Sequence, residues 1–144
     1  MATVHPYLNF NGTAEAAFTF YRSVFGGEFT FIAKFKDMPS EVPSMGADEG
    51  EKIMHVSLPI GNTVIMGSDI PASYPAGIMG TNFNVSVNTD SEAEADKIFN
   101  GLSAGGKVLM PIAKTFWGAY FGMFTDKFGV QWMVNYDYNQ EKKD

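Results

Sequence analysis

The chain begins with an alternation of apolar and polar residues that passes directly into a helical repeat. In residues 3–10, Leu8 and Phe10 lie on one face of an alternating pattern, which has the period of a β-strand. In residues 14–25 apolar side chains recur every three or four positions, as in a helix with one apolar face. The repeat stops at a glycine pair, residues 26–27, where a helix commonly ends. We therefore predict a strand followed by a helix that packs on its apolar face.

This strand, turn and helix occur a second time in the sequence. Residues 83–108 repeat the pattern of residues 7–29, with an asparagine leading each turn and a glycine pair closing each helix. The matched positions are Asn11 with Asn88, Glu15 with Glu92, and Ala16 with Ala93. A pattern that recurs within one chain indicates two copies of one structural module.

Three further strand patterns, separated by turn-forming residues, belong to each copy. In the first copy they are residues 28–36, 52–60 and 63–68, and in the second they are residues 107–114, 116–125 and 130–136. Residues 37–51 are predicted to form a long polar loop. We predict a single domain, residues 1–144, with module one at 1–70, a linker at 71–79, module two at 80–137 and a charged, frayed tail at 138–144.

The ends of the predicted helices and strands carry residues suited to capping and to turns. Thr13 is the predicted N-cap of the first helix, and Thr89 with Glu92 fits a capping box on the second. Asp69 and Asp126 lie at strand ends, where a carboxylate can accept hydrogen bonds from nearby backbone N–H groups. We predict that both aspartates order turns.

Two modules of the type βαβββ define an α+β fold. We predict a curved, mostly antiparallel, eight-stranded sheet around a cavity, with one helix packed outside each module. The face away from the helices is too polar for a dry core and too apolar for open surface, which favours a partly hydrated cavity. The residues assigned to this face are His5, Tyr7, Asn9, Thr63, Ile65, Asn82, Asn84, Ser86, Gln131, Met133 and Asn135.

Composition narrows the classes of function. Hydrophobic residues make up 45% and aromatic residues 15% of the chain, enough for a packed core and for the lining of an apolar ligand cavity. A net charge of −6 without a basic run disfavours nucleic-acid binding. The absence of cysteine excludes disulfides, thiol nucleophiles and thiolate metal ligands. The sequence has neither a signal-peptide pattern nor a membrane-spanning apolar run, so we expect a soluble cytoplasmic protein with no membrane partner.

Four stretches of sequence, together with the helix after the first strand, are similar to a known superfamily. They are residues 6–10, 64–69, 115–118 and 125–133, which read PYLNF, VIMGSD, TFWG and TDKFGVQWM. The chain resembles the vicinal oxygen chelate superfamily of glyoxalase I, bleomycin-resistance proteins and extradiol dioxygenases, and more closely its PhnB-like branch. The resemblance implies paired modules around a cavity and, often, a homodimer.

The resemblance also implies where a divalent metal ion would bind. Metal-dependent members place His or Glu on the first and last strands of each module. The matching positions in this chain are near His5, Ile65 or Met66, Asn82 and Met133. Only His5 is a competent ligand, and one histidine does not hold a hard cation, so we predict no metal and no cofactor. The methyltransferase name often given to this branch has no support, because the chain lacks a glycine-rich loop for a nucleoside cofactor.

Two histidines are the candidate catalytic residues, and each has a plainer interpretation. His5 could act as a base at the cavity floor, or it could only end a strand near the N-terminus. His55 is expected to face the same side as Ile53 and Ser57, where it could act as an acid or base or could only hydrogen-bond a neighbour.

Other side chains on the uncovered face suit a ligand that is neutral and partly apolar. Trp117 could stack on a planar molecule or pack within the sheet. Gln131 lies two positions from Met133, and an amide beside a thioether favours such a ligand over metal activation. The predicted ligand-binding residues are His5, Tyr7, Asn82, Trp117, Gln131 and Met133.

Three hypotheses about function follow from the sequence. The favoured one is a PhnB-like, homodimeric protein that binds a small, partly apolar or aromatic molecule in a metal-free cavity. The alternative is a metal-dependent lyase, isomerase or dioxygenase of the same superfamily that uses His5 or His55. The third is a dimeric scaffold whose cavity is vestigial.

Overall fold

The computed structural model describes residues 1–37 and 47–139, and the chain divides into two compact units, Met1–Ile78 and Met79–Asp144. The boundary between the units falls within the predicted linker. Each unit contains one βαβββ module with a mixed sheet of four strands. The α+β class and the duplicated module predicted from the sequence are confirmed. Within the described ranges, no helix is long and apolar enough to cross a membrane.

In the described part of the first unit, residues 1–37 and 47–78, there are four strands, one full helix and two short helical turns. The strands are β1 (Tyr7–Phe10), β2 (Phe31–Lys34), β3 (Ile53–Ile60) and β4 (Thr63–Asp69); the helix is α1 (Ala14–Phe25), and the turns are a 3-10 helix (Phe35–Asp37) and α2 (Ala47–Gly50). The strand order is β1-β4-β3-β2, with β1 parallel to β4 and the other pairs antiparallel. The predicted polar loop ends in α2, and its residues 38–46 lie outside the described ranges.

Helix α1 packs on one face of the first sheet, as its apolar stripe predicts. Leu8 and Phe10 of β1 are buried, and Phe18 and Tyr21 of α1 are fully buried. The rings of Phe10 and Phe18 meet edge to face, with their centroids 6.2 Å apart. Burial of each large apolar side chain contributes about 2 kcal/mol, so the contact between α1 and the sheet stabilises the unit.

The start of α1 is capped by a residue that lies far away in the sequence. Thr13 occupies the N-cap position, but its side chain makes no capping hydrogen bond. Instead, Asp69 Oδ1 accepts hydrogen bonds from the N–H groups of Gly12 and Ala14, each at 2.9 Å. Asp69 Oδ2 accepts a third from the N–H of Ile53, also at 2.9 Å. Thr13 is therefore at the predicted N-cap position, but Asp69 supplies the hydrogen bonds of the cap and joins three parts of the module rather than ordering only a turn.

The second unit repeats the arrangement of the first. Its strands are β5 (Val85–Asn88), β6 (Lys107–Lys114), β7 (Ala119–Thr125) and β8 (Gln131–Asp137), and its helix is α3 (Glu92–Ser103). The strand order is β5-β8-β7-β6, with β5 parallel to β8 and the other pairs antiparallel. Helix α3 packs Phe99 edge to face against Phe124 of β7, with centroids 5.2 Å apart.

Helix α3 begins two residues later than predicted. Ser91 is its N-cap, and the Ser91 hydroxyl oxygen accepts a hydrogen bond from the N–H of Glu94 at 3.1 Å. The Glu94 carboxylate in turn accepts from the N–H of Asp90 at 2.9 Å. Thr89 is buried, and its hydroxyl donates to the Ser91 carbonyl at 3.0 Å. Ser91 and Glu94, rather than Thr89 and Glu92, therefore form the cap, and the Glu94 carboxylate bonds the residue before the N-cap instead of the N-cap itself.

Asp126 orders the turn between β7 and β8, and this prediction is confirmed. Its Oδ1 accepts hydrogen bonds from the N–H groups of Phe128 at 2.8 Å and Val130 at 3.0 Å. Its Oδ2 accepts a third hydrogen bond from the indole N–H of Trp132 at 2.9 Å. The carboxylate is therefore buried without an unsatisfied oxygen, as a buried charge requires.

Several strand limits differ from the predicted ones. β1 begins at Tyr7 rather than residue 3, β5 at Val85, and β7 at Ala119 rather than residue 116. Tyr138, predicted to lie in a frayed tail, is held to the turn before β7 because its N–H donates to the Gly118 carbonyl at 3.0 Å. Residues 140–144 of that tail lie outside the described ranges.

Candidate functional site

The face of the first sheet that α1 does not cover carries a row of aromatic and hydroxyl side chains. The strand registers place Tyr7 opposite Met66, Met66 opposite Ser57, and Ser57 opposite Phe31. Because directly paired residues point to the same side of a sheet, these four side chains lie together on one face. The strand parity that buries Leu8 beneath α1 places this row on the other side.

His55 links two members of this row by hydrogen bonds. The hydroxyl of Tyr7 lies 3.2 Å from Nδ1 of His55, and the hydroxyl of Ser57 lies 2.9 Å from Nε2. A neutral imidazole has one donor and one acceptor nitrogen, and each hydroxyl can take either role, so both tautomers satisfy the network. We call these three side chains the Tyr7–His55–Ser57 network. Its members differ in exposure, since Ser57 is 8% exposed and Tyr7 is 44% exposed.

Two aromatic rings flank the imidazole of His55. The centroids of Tyr7 and Phe31 each lie 5.6 Å from that of His55, with both rings tilted against it. Phe31 is 49% exposed, so a large apolar surface beside the network is open to solvent. Ring edges and faces of this kind can contact the ring of a planar molecule.

A β-bulge accounts for the difference between the expected and observed surroundings of His55. Ala33 and Lys34 are neighbours on β2, but they pair with His55 and Ile53, which leaves one extra residue on β3. Ile53 is fully buried and donates its N–H to Asp69. The expected grouping of His55 with Ser57 is confirmed by their hydrogen bond. Strict alternation with Ile53 does not hold across the bulge.

His5 lies outside the network. It comes just before β1, is half-buried, and its Nδ1 accepts a hydrogen bond from the N–H of Val64 at 3.2 Å. This bond occupies one ring nitrogen in a backbone contact. Ile65, also predicted for the uncovered face, is instead 2% exposed on the side that packs beneath α1. The assignment of Ile65 to the uncovered face is therefore wrong.

The uncovered face of the second sheet carries thioethers and amides. Met110, Met123 and Met133 pair in register across β6, β7 and β8, so they form one row. Gln131 donates from Nε2 to the carbonyl of Phe83 at 2.8 Å. The predicted combination of an amide near Met133 is present, but the Gln131 amide nitrogen is already engaged with the backbone.

The other predicted residues of the second unit lie before strands rather than in them. Asn82 is exposed and precedes β5, and Trp117 lies in the turn before β7. Trp117 is 56% exposed and contacts Phe116 and Phe121, with centroids 5.1 and 6.2 Å away. Asn84 has a buried side-chain oxygen for which the structure shows no hydrogen-bond partner.

The strongest shifts in pKa occur away from these faces. Hydrogen bonds from Lys36 and Lys34, at 2.7 and 2.9 Å, lower the pKa of Glu51 to about 2. A 2.6 Å hydrogen bond to Asp96 raises the pKa of Tyr120 to about 12, with burial as the next cause. The first arrangement joins Glu51 to two lysines at or near the end of β2, and the second joins Tyr120 of β7 to Asp96 of α3; neither includes a residue of the Tyr7–His55–Ser57 network.

The four positions that the resemblance assigns to a metal ion do not fit a divalent cation. His5 offers an imidazole, whereas Met66, Asn82 and Met133 offer thioethers and an amide, and Ile65 is buried and has no donor atom. Hard cations are bound by several oxygen atoms, chiefly of carboxylates, and transition metals by several imidazole, thiolate or carboxylate ligands. Among the described residues, no group of three or more His, Cys, Asp or Glu side chains could hold one ion.

Sequence reasoning identified Tyr7 and His55 but missed Phe31. The sequence indicates only that Phe31 belongs to an apolar strand, because the register between β2 and β3 decides which residue lies opposite it. The number of residues between the end of α1 and Phe31 does not predict that its ring contacts His55. An aromatic residue on an edge strand that pairs with the strand of a candidate histidine is the one feature that could have drawn attention to it.

Comparisons with known proteins agree with this architecture. The family model described as the Glyoxalase/Bleomycin resistance protein/Dioxygenase superfamily matches residues 3–134. The chain is 34% identical over 137 residues to Protein YjdN of Escherichia coli strain K12, covering 90% of this chain and 92% of that protein. The crystal structure of protein PA1353 from Pseudomonas aeruginosa is 44% identical, with a TM-score of 0.83 over 95% of this chain and 98% of that chain. A PhnB protein from Bacillus cereus is 26% identical, with a TM-score of 0.74 over 94% and 99%.

A more distant structure shows the same fold in a metal-bound protein. The fosfomycin resistance protein FosX from Listeria monocytogenes, solved with Mn(II) and sulfate, is 13% identical, with a TM-score of 0.62 over 99% of this chain and 98% of that chain. At this identity the likeness concerns the fold alone.

Proposed function

Because this chain belongs to the Glyoxalase/Bleomycin resistance protein/Dioxygenase superfamily, in its PhnB-like branch, we propose that it binds a small, partly apolar or aromatic molecule without a metal ion. The observation that carries this proposal is the uncovered face of the first sheet. There, the two half-exposed rings of Tyr7 and Phe31 lie beside His55 in a network of hydrogen-bonding groups. Apolar surface with a few placed polar groups is the usual composition of a small-molecule site.

The chemistry of the side chains supports binding without a metal ion. Tyr7, Ser57 and Phe31 carry no formal charge and no ligand atom that a hard cation prefers. The network can instead donate to and accept from polar atoms of a neutral molecule, while the rings contact its apolar part. In the second unit we propose Asn82, Trp117, Gln131 and Met133 as ligand-contacting residues.

Binding can be tested with a library of small aromatic and aliphatic compounds. Thermal shift and ligand-observed NMR should find aromatic binders, and Phe31→Ala should weaken them about tenfold by removing ring contact. Ile32→Ala is the matched control, because Ile32 is the next residue on β2 and is 41% exposed. Amide shift changes on binding should be largest near Tyr7 and His55. Equal losses in both variants, or no binder in the whole library, would count against the proposal.

An enzymatic function is the second candidate, and the Tyr7–His55–Ser57 network favours it. An imidazole hydrogen-bonded on both sides is a group that can take up and release protons. A metal-dependent lyase, isomerase or dioxygenase that uses His5 or His55 is less well supported, because the available donor atoms do not fit a divalent cation. The cytoplasmic location and the homodimer expected from the sequence stay predictions.

A further inference from the structure

We propose that the Tyr7–His55–Ser57 network accepts a proton from the bound ligand, which makes the ligand an aromatic molecule with a weakly acidic hydroxyl group, such as a phenol. This inference rests on the proposed binding function and names its ligand class. It follows from the hydrogen-bonding capacity of the three side chains and from the two rings beside them.

The network leaves one position open for a ligand hydroxyl. When Nε2–H of His55 donates a hydrogen bond to Ser57, Nδ1 carries a lone pair and accepts a hydrogen bond from the hydroxyl of Tyr7. The Tyr7 oxygen then keeps lone pairs for which residues 1–37 and 47–139 show no donor, and Tyr7 is 44% exposed. A ligand that donates a hydrogen bond to this oxygen extends the series of hydrogen bonds that runs through Tyr7 and His55 to Ser57. Ser57 is 8% exposed and is therefore the buried end of the network.

The proton transfer requires no group other than the ligand hydroxyl, Tyr7 and His55. The ligand O–H bond breaks, and its proton goes to the Tyr7 oxygen while the Tyr7 proton goes to Nδ1 of His55. The products are a ligand oxyanion, a neutral Tyr7 and a His55 imidazolium whose Nε2–H still donates to Ser57. The hydroxyl of Tyr7 donates a charge-assisted hydrogen bond to the oxyanion, and this bond is stronger than the neutral one it replaces.

The surroundings of His55 contain no competing charge among its described contacts. Its ring contacts are Tyr7 and Phe31, its hydrogen-bond partners are Tyr7 and Ser57, and its in-register partner on β2 is Ala33. The oxyanion of the ligand is therefore the only partner for the imidazolium charge among these groups. A charge of opposite sign nearby favours the ionised form of an acid.

The flanking rings restrict the ligand to molecules with a planar apolar part. Phe31 is 49% exposed and lies 5.6 Å from the imidazole, on the same face as the open Tyr7 hydroxyl. An aromatic ring that contacts Phe31 can direct its hydroxyl group toward Tyr7. An aliphatic alcohol would lack both the ring contact and the acidity.

A pair of probes separates this inference from the proposed function. 4-Nitrophenol has an ionisable hydroxyl and absorbs visible light as the phenolate, and 4-nitroanisole is the same ring with the hydroxyl methylated. Absorbance titrations against pH should show that bound 4-nitrophenol ionises at a pKa lowered by about one unit relative to free 4-nitrophenol. 4-Nitroanisole should bind about tenfold more weakly than 4-nitrophenol near neutral pH.

Variants locate the proton acceptor. His55→Gln keeps hydrogen-bonding atoms but cannot be protonated, and Tyr7→Phe keeps the ring but removes the hydroxyl. Both should abolish the shift in phenol ionisation, so that 4-nitrophenol no longer binds more tightly than 4-nitroanisole to either variant. His5→Gln is the matched control, since it replaces the other histidine of the chain, and it should leave the shift unchanged.

Each outcome decides between the two proposals. Equal binding of both probes without a phenolate signal would overturn the proton transfer and leave the ligand-binding function standing. A shift that disappears equally in His5→Gln would also overturn the assignment to His55. Binding of neither probe, together with a library that yields no aromatic binder, would remove the proposed function and this inference with it.

Discussion

At the scale of single residues, the carboxylate of Asp69 connects parts of the chain that are distant in sequence. It accepts N–H groups from the turn before α1, from the first residue of α1 and from the first residue of β3. It is 2% exposed, so water does not take the place of these bonds. A buried charge is stable only when it is hydrogen-bonded in this way, and here the three donors are all backbone groups.

Replacement of this carboxylate by an amide should be strongly destabilising. Asp69→Asn keeps one acceptor oxygen but turns the other position into a donor that faces a backbone N–H. We expect a loss of about 2–3 kcal/mol in the free energy of unfolding, measured by urea titration. Asp37→Asn is the control, because Asp37 is exposed and accepts one N–H from Lys34, and it should change stability by less than about 0.5 kcal/mol. Equal losses in the two variants would contradict the role given to Asp69.

At the scale of secondary-structure elements, close contact between helix and sheet depends on a glycine in each module. A Cβ added to Gly67 of β4 would lie 2.6 Å from the ring of Phe18 and 2.8 Å from the carbonyl of Leu8. A Cβ added to Gly122 of β7 would lie 2.6 Å from the ring of Phe99. The two modules therefore use different strands for the same purpose, which is to let a phenylalanine of the helix lie directly on the sheet.

A single methyl group at Gly67 tests this close contact. Gly67→Ala should destabilise the protein by about 1–3 kcal/mol, because both neighbours of the new Cβ are buried and one is backbone. Ser68→Ala, the next residue on the same strand, should cost much less. Urea unfolding of both variants measures the difference. An alanine at position 67 with wild-type stability would show that α1 can shift outward without cost.

At the scale of the whole molecule, the chain belongs to a superfamily with metal-binding members, but its residues at the matched positions do not suit a metal ion. The donor atoms at the matched positions are one imidazole, two thioethers and an amide. Protein purified without chelators should therefore carry far less than one equivalent of Zn, Ni, Mn or Fe by elemental analysis. Near-stoichiometric metal that is lost in His5→Ala would overturn the metal-free proposal.

The parts of the fold that the sequence predicted are those that depend on local periodicity. The α+β class, the two modules and the packing of α1 on β1 follow from apolar residues at helical and strand spacing. The turn at Asp126 was also accessible, because its N–H donors, Phe128 and Val130, lie within four residues of it. The capping residues were harder to predict, because several residues suitable for capping lie near the start of each helix.

The candidate site was predictable only in part. Tyr7 and His55 were recognisable as polar or titratable residues in strand patterns. Their hydrogen bond joins β1 to β3, which are not neighbours in the sheet, and the bulge beside His55 shifts the alternation of its strand. Neither feature has a local signal in the sequence, and Phe31 was missed for the same reason.

Periodicity along this chain was sufficient to determine the duplicated βαβββ module, because each apolar stripe is set by residues only a few positions apart. Tertiary structure alone decided that Asp69 caps α1, that Ile65 lies beneath the helix, and that Tyr7, His55 and Ser57 form one network. These outcomes depend on which strands pair and in which register. Pairing between distant segments is a property of the folded chain as a whole, since it is selected by the burial of many side chains together.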